Sequence, residues 1–310
     1  MMKHLKLFEN FEVVDPIKYG EPLNNREVNI LKGYNVMCPE WILKDDNYYY
    51  VFDHRCENIK DLPLTYINAV CKKYNIQNYT INDDFTIDVD DNIDISFESL
   101  SKIPLCFNKV YGDFVCSHNR ITSLEGSPKS VANFNCSDNK LTTLEGGPES
   151  VGRDFNCSSN KLTTLKGGPI DVGRSFYCGY NQLTSLEGSP KYVGGFDCYN
   201  NKLTTLKGSP ESVYGFFNCC VNKLTTLEGG PKSVGSTFYC HSNKLTTLKG
   251  SPKEVGGGFS CYDNKLTTLD GSPESVGGDF YCHKNPLTSV EYTGVIKGKL
   301  IYFGFYLGRS

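Results

Sequence analysis

Apolar residues return at fixed positions through most of the chain. Between residues 93 and 290 the frame V-x-x-(x)-F-x-C-x-x-N-x-L-T-x-L-x-G-x-P occurs nine times, at intervals of 20 or 21 residues. Phe and Cys alternate with variable residues, which predicts a strand of about three to five residues with one buried face. One turn cannot bury its own apolar side chains, so each turn is expected to stack on the next in a parallel sheet. In one copy the frame residues are Val131, Phe134, Cys136, Asn139, Leu141, Leu144 and Pro148.

The Asn residue and the Gly and Pro residues of the frame have separate predicted roles. We expect the Asn to point inward where the chain leaves the strand, and to bond backbone groups of its own and the adjacent turn. Gly and Pro, as in Gly167, Gly168 and Pro169, forbid helix on the return limb, which should be extended. The extra residue of the 21-residue copies lies between Val and Phe, and a bulge before the strand is expected to absorb it.

The nine frames resemble leucine-rich repeats, whose spacing is L-x-x-L-x-L-x-x-N-x-L, with Val, Phe and Cys at the first three Leu positions. The 20–21-residue period is similar to the short repeats of secreted effectors of pathogenic bacteria, and to repeat proteins of phage genomes. The resemblance implies a mainly β solenoid of nine to ten turns, with a parallel sheet on the concave face and an extended convex limb. Some such effectors carry a C-terminal ubiquitin-ligase domain, for which the last 20 residues leave no room, so the resemblance implies a binding scaffold.

Three segments follow from the limits of the repeat. Residues 93–290 form the solenoid, and its start, residues 93–110, fits the frame as a worn first turn in which Glu98 replaces Asn. Residues 291–310 contain KLIYFGFYL (299–307), a strand expected to cap the open sheet edge. Residues 1–92 have no repeat and predict a small α+β module or cap, with a helix in 61–76 and strands in 47–53 and 78–96.

The cysteines predict core positions and no metal site. Nine of the 14 occupy one frame position, and no C-x-x-C pair is present, so neither zinc nor another cofactor is expected. A single Cys per turn, two residues after Phe, is typical of a small buried apolar side chain. Cys220 directly follows Cys219 and breaks the pattern, so it is expected to be the exposed thiol of the array.

The balance of basic and acidic residues limits the kinds of partner that we expect. Residues 1–92 carry 10 Lys and Arg against 16 Asp and Glu, and residues 93–310 carry 22 against 19. Neither part has the basic excess of a nucleic-acid binder. No apolar run approaches the roughly 18 residues of a membrane span, and the N-terminus lacks the apolar stretch of a signal peptide. We therefore expect a soluble protein in the cytoplasm of a bacterial cell or host.

Two charged columns follow from stacking the turns. The residue after the second Leu alternates in sign, which favours pairing between turns and a fixed register; the series is Glu145, Lys166, Glu187, Lys207, Glu228, Lys249 and Asp270. The residue after Asn is Lys in six turns: Lys140, Lys161, Lys202, Lys223, Lys244 and Lys265. That second column is either a solvated rim or a surface that attracts an acidic partner.

Aromatic residues gather on the strand face that points away from the core, in the C-terminal turns. Exposed rings on a rigid sheet are typical of a recognition surface, because they lose little entropy when they anchor a partner. High strand propensity of Tyr is the alternative explanation; base stacking is less favoured without a basic surface. The candidate partner-binding residues are Tyr177, Tyr180, Tyr199, Tyr239, His241, Tyr262, Tyr281 and His283.

Two segments near the N-terminus have weak chemical signals. DVDDNID (88–94) has the alternating carboxylates of a calcium loop but lacks its Gly and final Glu, so an acidic strand edge is favoured. FDHRCEN (52–58) places His54 near Cys56 without a second catalytic signature. We therefore expect a non-enzymatic scaffold for a protein partner, such as a phage- or bacteria-encoded host-interaction factor. The alternatives are a structural component of a particle and an enzyme with its catalysis in the N-terminal region.

Overall fold

The computed structural model describes residues 41–44, 47–50 and 62–302. Strands β1 (Trp41–Lys44) and β2 (Asn47–Tyr50) form an antiparallel hairpin. Helix α1 (Leu62–Lys73) confirms the helix predicted in this region, and the remainder of the predicted strand, residues 51–53, lies outside the described residues. The buried side chains of α1 belong to one core with those of the repeats.

The repeats form two ladders of very short parallel strands. The Phe ladder is an 11-stranded sheet. Its strands are β5 (Ile93–Asp94), β7 (Phe114–Val115), β9 (Phe134–Asn135), β11 (Phe155–Asn156), β13 (Ser175–Tyr177), β15 (Gly195–Asp197), β17 (Phe217–Asn218), β19 (Phe238–Tyr239), β21 (Phe259–Ser260), β23 (Phe280–Tyr281) and β25 (Leu300–Ile301).

The Val ladder lies on a second side of the coil, in two six-stranded sheets. The first contains β3 (Tyr79–Ile81), which is antiparallel to its neighbour, and then β4 (Ile87–Val89), β6 (Phe107–Val110), β8 (Ser130–Val131), β10 (Ser150–Val151) and β12 (Asp171–Val172). The second contains β14 (Tyr192–Val193), β16 (Ser212–Val213), β18 (Ser233–Val234), β20 (Glu254–Val255), β22 (Ser275–Val276) and β24 (Val295–Ile296).

The structure corrects the strand prediction, because each turn contains two short strands in separate ladders where the sequence predicted one. In the repeats the strands of the Phe ladder have two or three residues, shorter than the three to five expected, and Val belongs to a separate strand. The physical reason is the linker of two or three residues between Val and Phe, which bends the chain at a corner before a longer strand can form. The mainly β, parallel solenoid of about ten turns is confirmed.

The interior is a file of stacked rings. Each Phe is the register partner of the Phe one turn away, as Phe155 is of Phe134 and Phe176. Neighbouring ring centroids along the file lie 5.0–5.7 Å apart, and all nine rings are fully buried. Ring contacts of this kind stabilise the fold in addition to the effect of the apolar area that they bury. The Phe file therefore fills the core and fixes the register of the turns.

The Asn of each turn bonds the backbone of two turns, as predicted. The Asn160 Nδ2 group donates to the carbonyls of Cys136 at 3.0 Å, Cys157 at 3.1 Å and Ser158 at 3.2 Å. Its Oδ1 accepts from the Leu141 amide at 3.0 Å. One side chain therefore bonds four backbone groups at the bend. It shares the three carbonyls with other donors, which are the side chains of Asn139 and Asn181 and the Asp138 amide.

The corner between the ladders absorbs the difference between 20- and 21-residue turns. In a 21-residue turn the Gly152 amide donates to the carbonyl of Val131, one turn back. In a 20-residue turn the Ala132 amide donates instead to the carbonyl of Gly112, two residues beyond the preceding Val. The register of the Phe ladder is unchanged on both sides. The second 20-residue turn coincides with the break between β12 and β14.

The return limb contains no helix in residues 93–302, as the Gly and Pro pattern predicts. It turns at a Gly with positive φ, for example +80° at Gly167, a conformation that an L side chain rarely adopts. The worn first turn is confirmed, because β5 is the first strand of the Phe ladder and pairs with β7. Strand β25 pairs with β23 at the end of the Phe ladder, and residues 303–307 of the segment predicted to cap the sheet lie outside the described residues.

Candidate functional site

Alternation along the Phe ladder sends two residues of each turn outward. Phe and Cys are fully buried, so the residue between them and the residue after Cys face away from the core. The first outward column is Val115, Asn135, Asn156, Tyr177, Asp197, Asn218, Tyr239, Ser260 and Tyr281. The second is Ser117, Ser137, Ser158, Gly179, Tyr199, Cys220, His241, Tyr262 and His283. We call these two columns, with Tyr180, the Tyr/His face.

All eight candidate residues reach the surface of this face. Tyr180 and Tyr239 are exposed, and the other six are half-buried. Tyr180 follows the second column by one residue and has a positive φ of 54°. The rings therefore do not enter the Phe file, and their role in binding stays a prediction.

The rings are held against one another in two groups. His241, Tyr262 and His283 form a continuous stack, with centroids 4.3 and 4.6 Å apart and ring planes within 10°. Tyr180 and Tyr199 meet edge to face at 5.3 Å. Because five of the eight rings pack on a neighbour one turn away, this part of the face is organised before any partner arrives.

The imidazoles of this stack are partly buried. Burial lowers the pKa of His241, and the nearby Asp263 opposes this shift. Burial and Lys284 lower the pKa of His283. The Ser242 hydroxyl donates to Asp263 at 2.9 Å, so it accepts from Nδ1 of His241 at 3.2 Å. Both imidazoles are therefore neutral near pH 7 and present apolar, stacked faces.

The prediction for Cys220 is wrong. Its side chain is fully buried, although it belongs to the outward-facing second column. The larger Tyr199 and His241 flank it in that column and stand above the short thiol, and burial raises its pKa. Burial likewise raises the pKa of the frame cysteines, to about 12 for Cys116 and about 11 for Cys282. These thiols are protonated core groups.

The sequence pattern did not single out Asp197 as a candidate functional residue. It is the one charged side chain among the 18 positions of the two outward columns. Its Oδ1 accepts a hydrogen bond from the Tyr199 amide at 2.9 Å. Burial raises its pKa, and that hydrogen bond partly offsets the effect. Asp94 lies at the same position in the first turn of the ladder and accepts the same bond, from the Ser96 amide at 2.9 Å.

The charged columns lie away from this face. The alternating column pairs across turns at Lys207–Glu187, 2.8 Å, and Lys249–Glu228, 2.9 Å. All the lysines after Asn are exposed. Lys202 donates to the Gln182 side chain at 3.1 Å, and Gln182 takes the place of a lysine in that column.

The two chemical segments near the N-terminus give no site. Residues 52–58 lie outside the described residues. In residues 88–94, Asp88 accepts from Asn108 at 2.8 Å and Asp94 accepts from Ser96 at 2.6 Å, so these carboxylates are used locally. No three His, Cys, Asp or Glu side chains in the described ranges are grouped to hold a metal ion. In the same ranges, no helix has the length and apolar character needed to span a membrane.

Comparison with known proteins gives a weak structural likeness. No family model matches the chain, and no curated protein matches it. Among solved structures, the chain is similar to YopM from Yersinia enterocolitica WA-314, with 13% sequence identity and a TM-score of 0.31 over 81% of this chain and 69% of that chain. The stacked parallel strands and the repeat frame are those of a leucine-rich-repeat solenoid. The likeness carries no information about the partner.

Proposed function

We propose that this protein is a non-enzymatic scaffold that captures a partner protein on its Tyr/His face. The observation that carries the proposal is the contrast within each turn. Phe, Cys and Asn keep one arrangement through the nine turns, while the outward surface from Tyr177 to His283 gathers eight partly exposed rings, five of which pack on one another. Large rings already fixed in place lose little entropy on binding and are common at the centres of protein interfaces.

Strand propensity does not account for the rings. The turns that carry Asn135 and Asn156 in the first column, and Ser137 and Ser158 in the second, pair in the same register as the aromatic turns. The Phe ladder therefore forms with small polar residues at these positions. The aromatic side chains of the later turns add a surface that the fold does not require.

The test is a binding comparison between two triple variants of the full chain. Replacing Tyr199, Tyr239 and Tyr262 with Ala removes rings from both outward columns. Proteins captured from the native host by the wild-type chain and identified by mass spectrometry should be retained about tenfold less or weaker still, because truncated interface anchors typically cost more than 1 kcal/mol each. The melting temperature should change by only about 3 °C, since the removed rings lie outside the core.

The matched control replaces three exposed tyrosines beside the Val ladder, Tyr111, Tyr192 and Tyr214, with Ala. This control removes the same number of rings and should retain the partner at the wild-type level. Equal retention by wild type and the first triple variant would contradict the proposal. Equal losses in both triple variants would also contradict it, because they would indicate general adhesion of exposed tyrosine.

A further inference from the structure

The residue after the frame Asn forms an exposed column of positive charge. It is a cation in seven of eight consecutive turns, and the eighth turn has Gln182 at this position. All eight side chains are exposed. Neighbouring turns lie about 4.8 Å apart, so the column is a continuous row about 34 Å long. We call its seven cations the Lys strip: Arg120, Lys140, Lys161, Lys202, Lys223, Lys244 and Lys265.

The Lys strip has no counter-ion in the described part of the chain. Lys207 and Lys249, on the alternating column, form ion pairs with glutamates at 2.8 and 2.9 Å. None of the ion pairs among the described residues includes a cation of the strip. Asp138 and Asp263 each precede a strip lysine by two residues, but Asp138 lies 3.6 Å from Nδ1 of His118, and Asp263 accepts from a Ser hydroxyl. The positive charge of the strip is therefore available to a partner.

The fold does not need a cation at this position. The Gln182 amide donates to the carbonyl of the frame Leu one turn back at 2.9 Å, and the amides of Lys161 and Lys202 make the same bond at the same distance. Lys202 also donates to the Gln182 side chain at 3.1 Å, an uncharged partner that leaves its charge in place. Like charges at the spacing of the turns repel one another. The repeated cation is therefore a property of the surface and does not stabilise the fold.

A column of Thr hydroxyls lies beside the Lys strip. In each of the eight turns an exposed cation or Gln is followed by a buried Leu or Ile and then by an exposed Thr, so the first and third side chains leave the same surface. These threonines are Thr122, Thr142, Thr163, Thr184, Thr204, Thr225, Thr246 and Thr267. The Thr that follows each of them is used locally, as Thr205 accepts from the Lys207 amide at 3.2 Å. Ammonium and hydroxyl donors therefore alternate across this surface.

We propose that the Lys strip binds an extended acidic segment of a polypeptide, which lies across successive turns. A Lys ammonium is a compact charge with three donors on a flexible stem, so it pairs with carboxylates over a range of positions. The Thr hydroxyls donate to the same carboxylates. A nucleic acid fits less well, because the Lys and Thr columns contain no aromatic ring for base stacking and only Arg120 for bidentate contacts with phosphate. The strip is separate from the Tyr/His face, so this inference goes beyond the proposed function.

The strip is tested with fluorescein-labelled probes and the full chain at low ionic strength. A peptide of about ten glutamates matches the length of the strip when it is extended. It should bind saturably and more weakly as salt is raised, and the corresponding glutamine peptide should bind at least about tenfold more weakly. A single-stranded oligonucleotide with the same number of negative charges should bind more weakly than the Glu peptide. Equal affinity for the two peptides, or equal or tighter binding of the oligonucleotide, would overturn the proposal.

Two quadruple variants with the same change of net charge locate the binding surface. The first replaces four lysines of the Lys strip with Gln: Lys202, Lys223, Lys244 and Lys265. The control replaces with Gln four exposed lysines that each follow the Pro of a turn: Lys129, Lys191, Lys232 and Lys253. The strip variant should bind the Glu peptide about tenfold more weakly, and the control should stay within about twofold of wild type. Equal losses would show that net charge alone governs binding and would refute the strip.

A gain of binding provides a second test that does not depend on a loss. Gln182→Lys fills the turn of the column that lacks a cation, and it should raise affinity for the Glu peptide about threefold. The matched change Ile170→Lys adds the same charge beside the Val ladder, at a side chain that is 75% exposed, and should leave affinity unchanged. No gain in Gln182→Lys, or an equal gain in both variants, would contradict the proposal.

The Glu peptide also separates the Lys strip from the Tyr/His face. The triple variant of Tyr199, Tyr239 and Tyr262 should bind the Glu peptide as wild type does, because its cations are intact. Lost peptide binding in that variant would place the peptide on the Tyr/His face and overturn the strip. All strip variants change exposed side chains, so their melting temperatures should stay within about 3 °C of wild type, and a change in affinity would not reflect unfolding.

Discussion

The two halves of the Tyr/His face share one interior and have different surfaces. Residues 115–158 present Val, Asn and Ser, and residues 177–283 present mainly Tyr and His. Behind both halves the Phe rings stack, the cysteines are buried and the Asn side chains make the same four bonds. The difference teaches that the inward positions specify this fold and that the outward positions are free to carry recognition.

Removing a frame Asn should have the largest effect and should act equally in both halves. Asn160 and Asn222 each donate to three carbonyls and accept from one Leu amide, with distances of 3.0–3.2 Å. Replacement by Ala leaves the Leu amide without a partner and removes one of two donors from each of the three carbonyls. It should lower the free energy of unfolding by about 3 kcal/mol.

Chemical denaturation of Asn160→Ala and Asn222→Ala measures this prediction. The two losses should agree within about 1 kcal/mol, because the interiors behind the two halves are alike. An exposed substitution, Lys161→Ala, provides the baseline and should change little. A loss near zero in either half would show that the shared interior does not stabilise both halves in the same way.

A smaller difference between the halves lies in the residue before the frame Asn. All nine turns hold this residue at positive φ, between 52° and 56°. In the C-terminal half it is Val at position 221, the one β-branched member of the series, whereas the N-terminal half has His118, Asp138 and Ser159. A branched side chain is strained in this conformation, and Asn tolerates it.

Val221→Asn should therefore stabilise the chain by about 1 kcal/mol. The matched change Ser159→Asn replaces a side chain that is less strained and should have an effect close to zero. Thermal unfolding of the two variants beside wild type provides the measurement. Equal shifts in the two halves would show that the strain at Val221 is already relieved by its surroundings.

The sequence predicts the interior well because the interior is periodic. Phe134, Cys136 and Asn139 recur often enough for alternation and stacking to assign each one a direction. The separate Val strand was missed, since the frame does not reveal that the linker before Phe134 makes a corner. This depends on backbone bonds such as that from the Ala132 amide to the Gly112 carbonyl.

The candidate site is less accessible to sequence reasoning because its properties depend on neighbours in adjacent turns. The direction of Tyr199 follows from alternation, whereas the burial of Cys220 depends on the larger residues beside it. The sequence predicts the burial of a column residue when that burial does not depend on the neighbouring turns. Where one side chain covers the next, the structure is needed.

The smallest expected effect concerns the histidines of the aromatic half. The folded chain lowers the pKa of His241 and His283 below the ordinary 6.5, so the unfolded chain takes up protons first as the pH falls. Stability should therefore be fully present above about pH 7 and should decrease as the pH passes down through that ordinary value toward the folded-state values.

The loss should stay below about 1 kcal/mol, because both rings are partly open to solvent and Asp263 opposes the shift at each. Unfolding free energies at pH 7.5 and pH 5.5 for wild type and for His241→Gln with His283→Gln isolate it, since other titrating groups are common to the two chains. The double variant should lose less stability over this interval. An equal or larger loss in that variant would mean that the stacked imidazoles are already hydrated, and the aromatic half would then be a looser surface than its ring distances indicate.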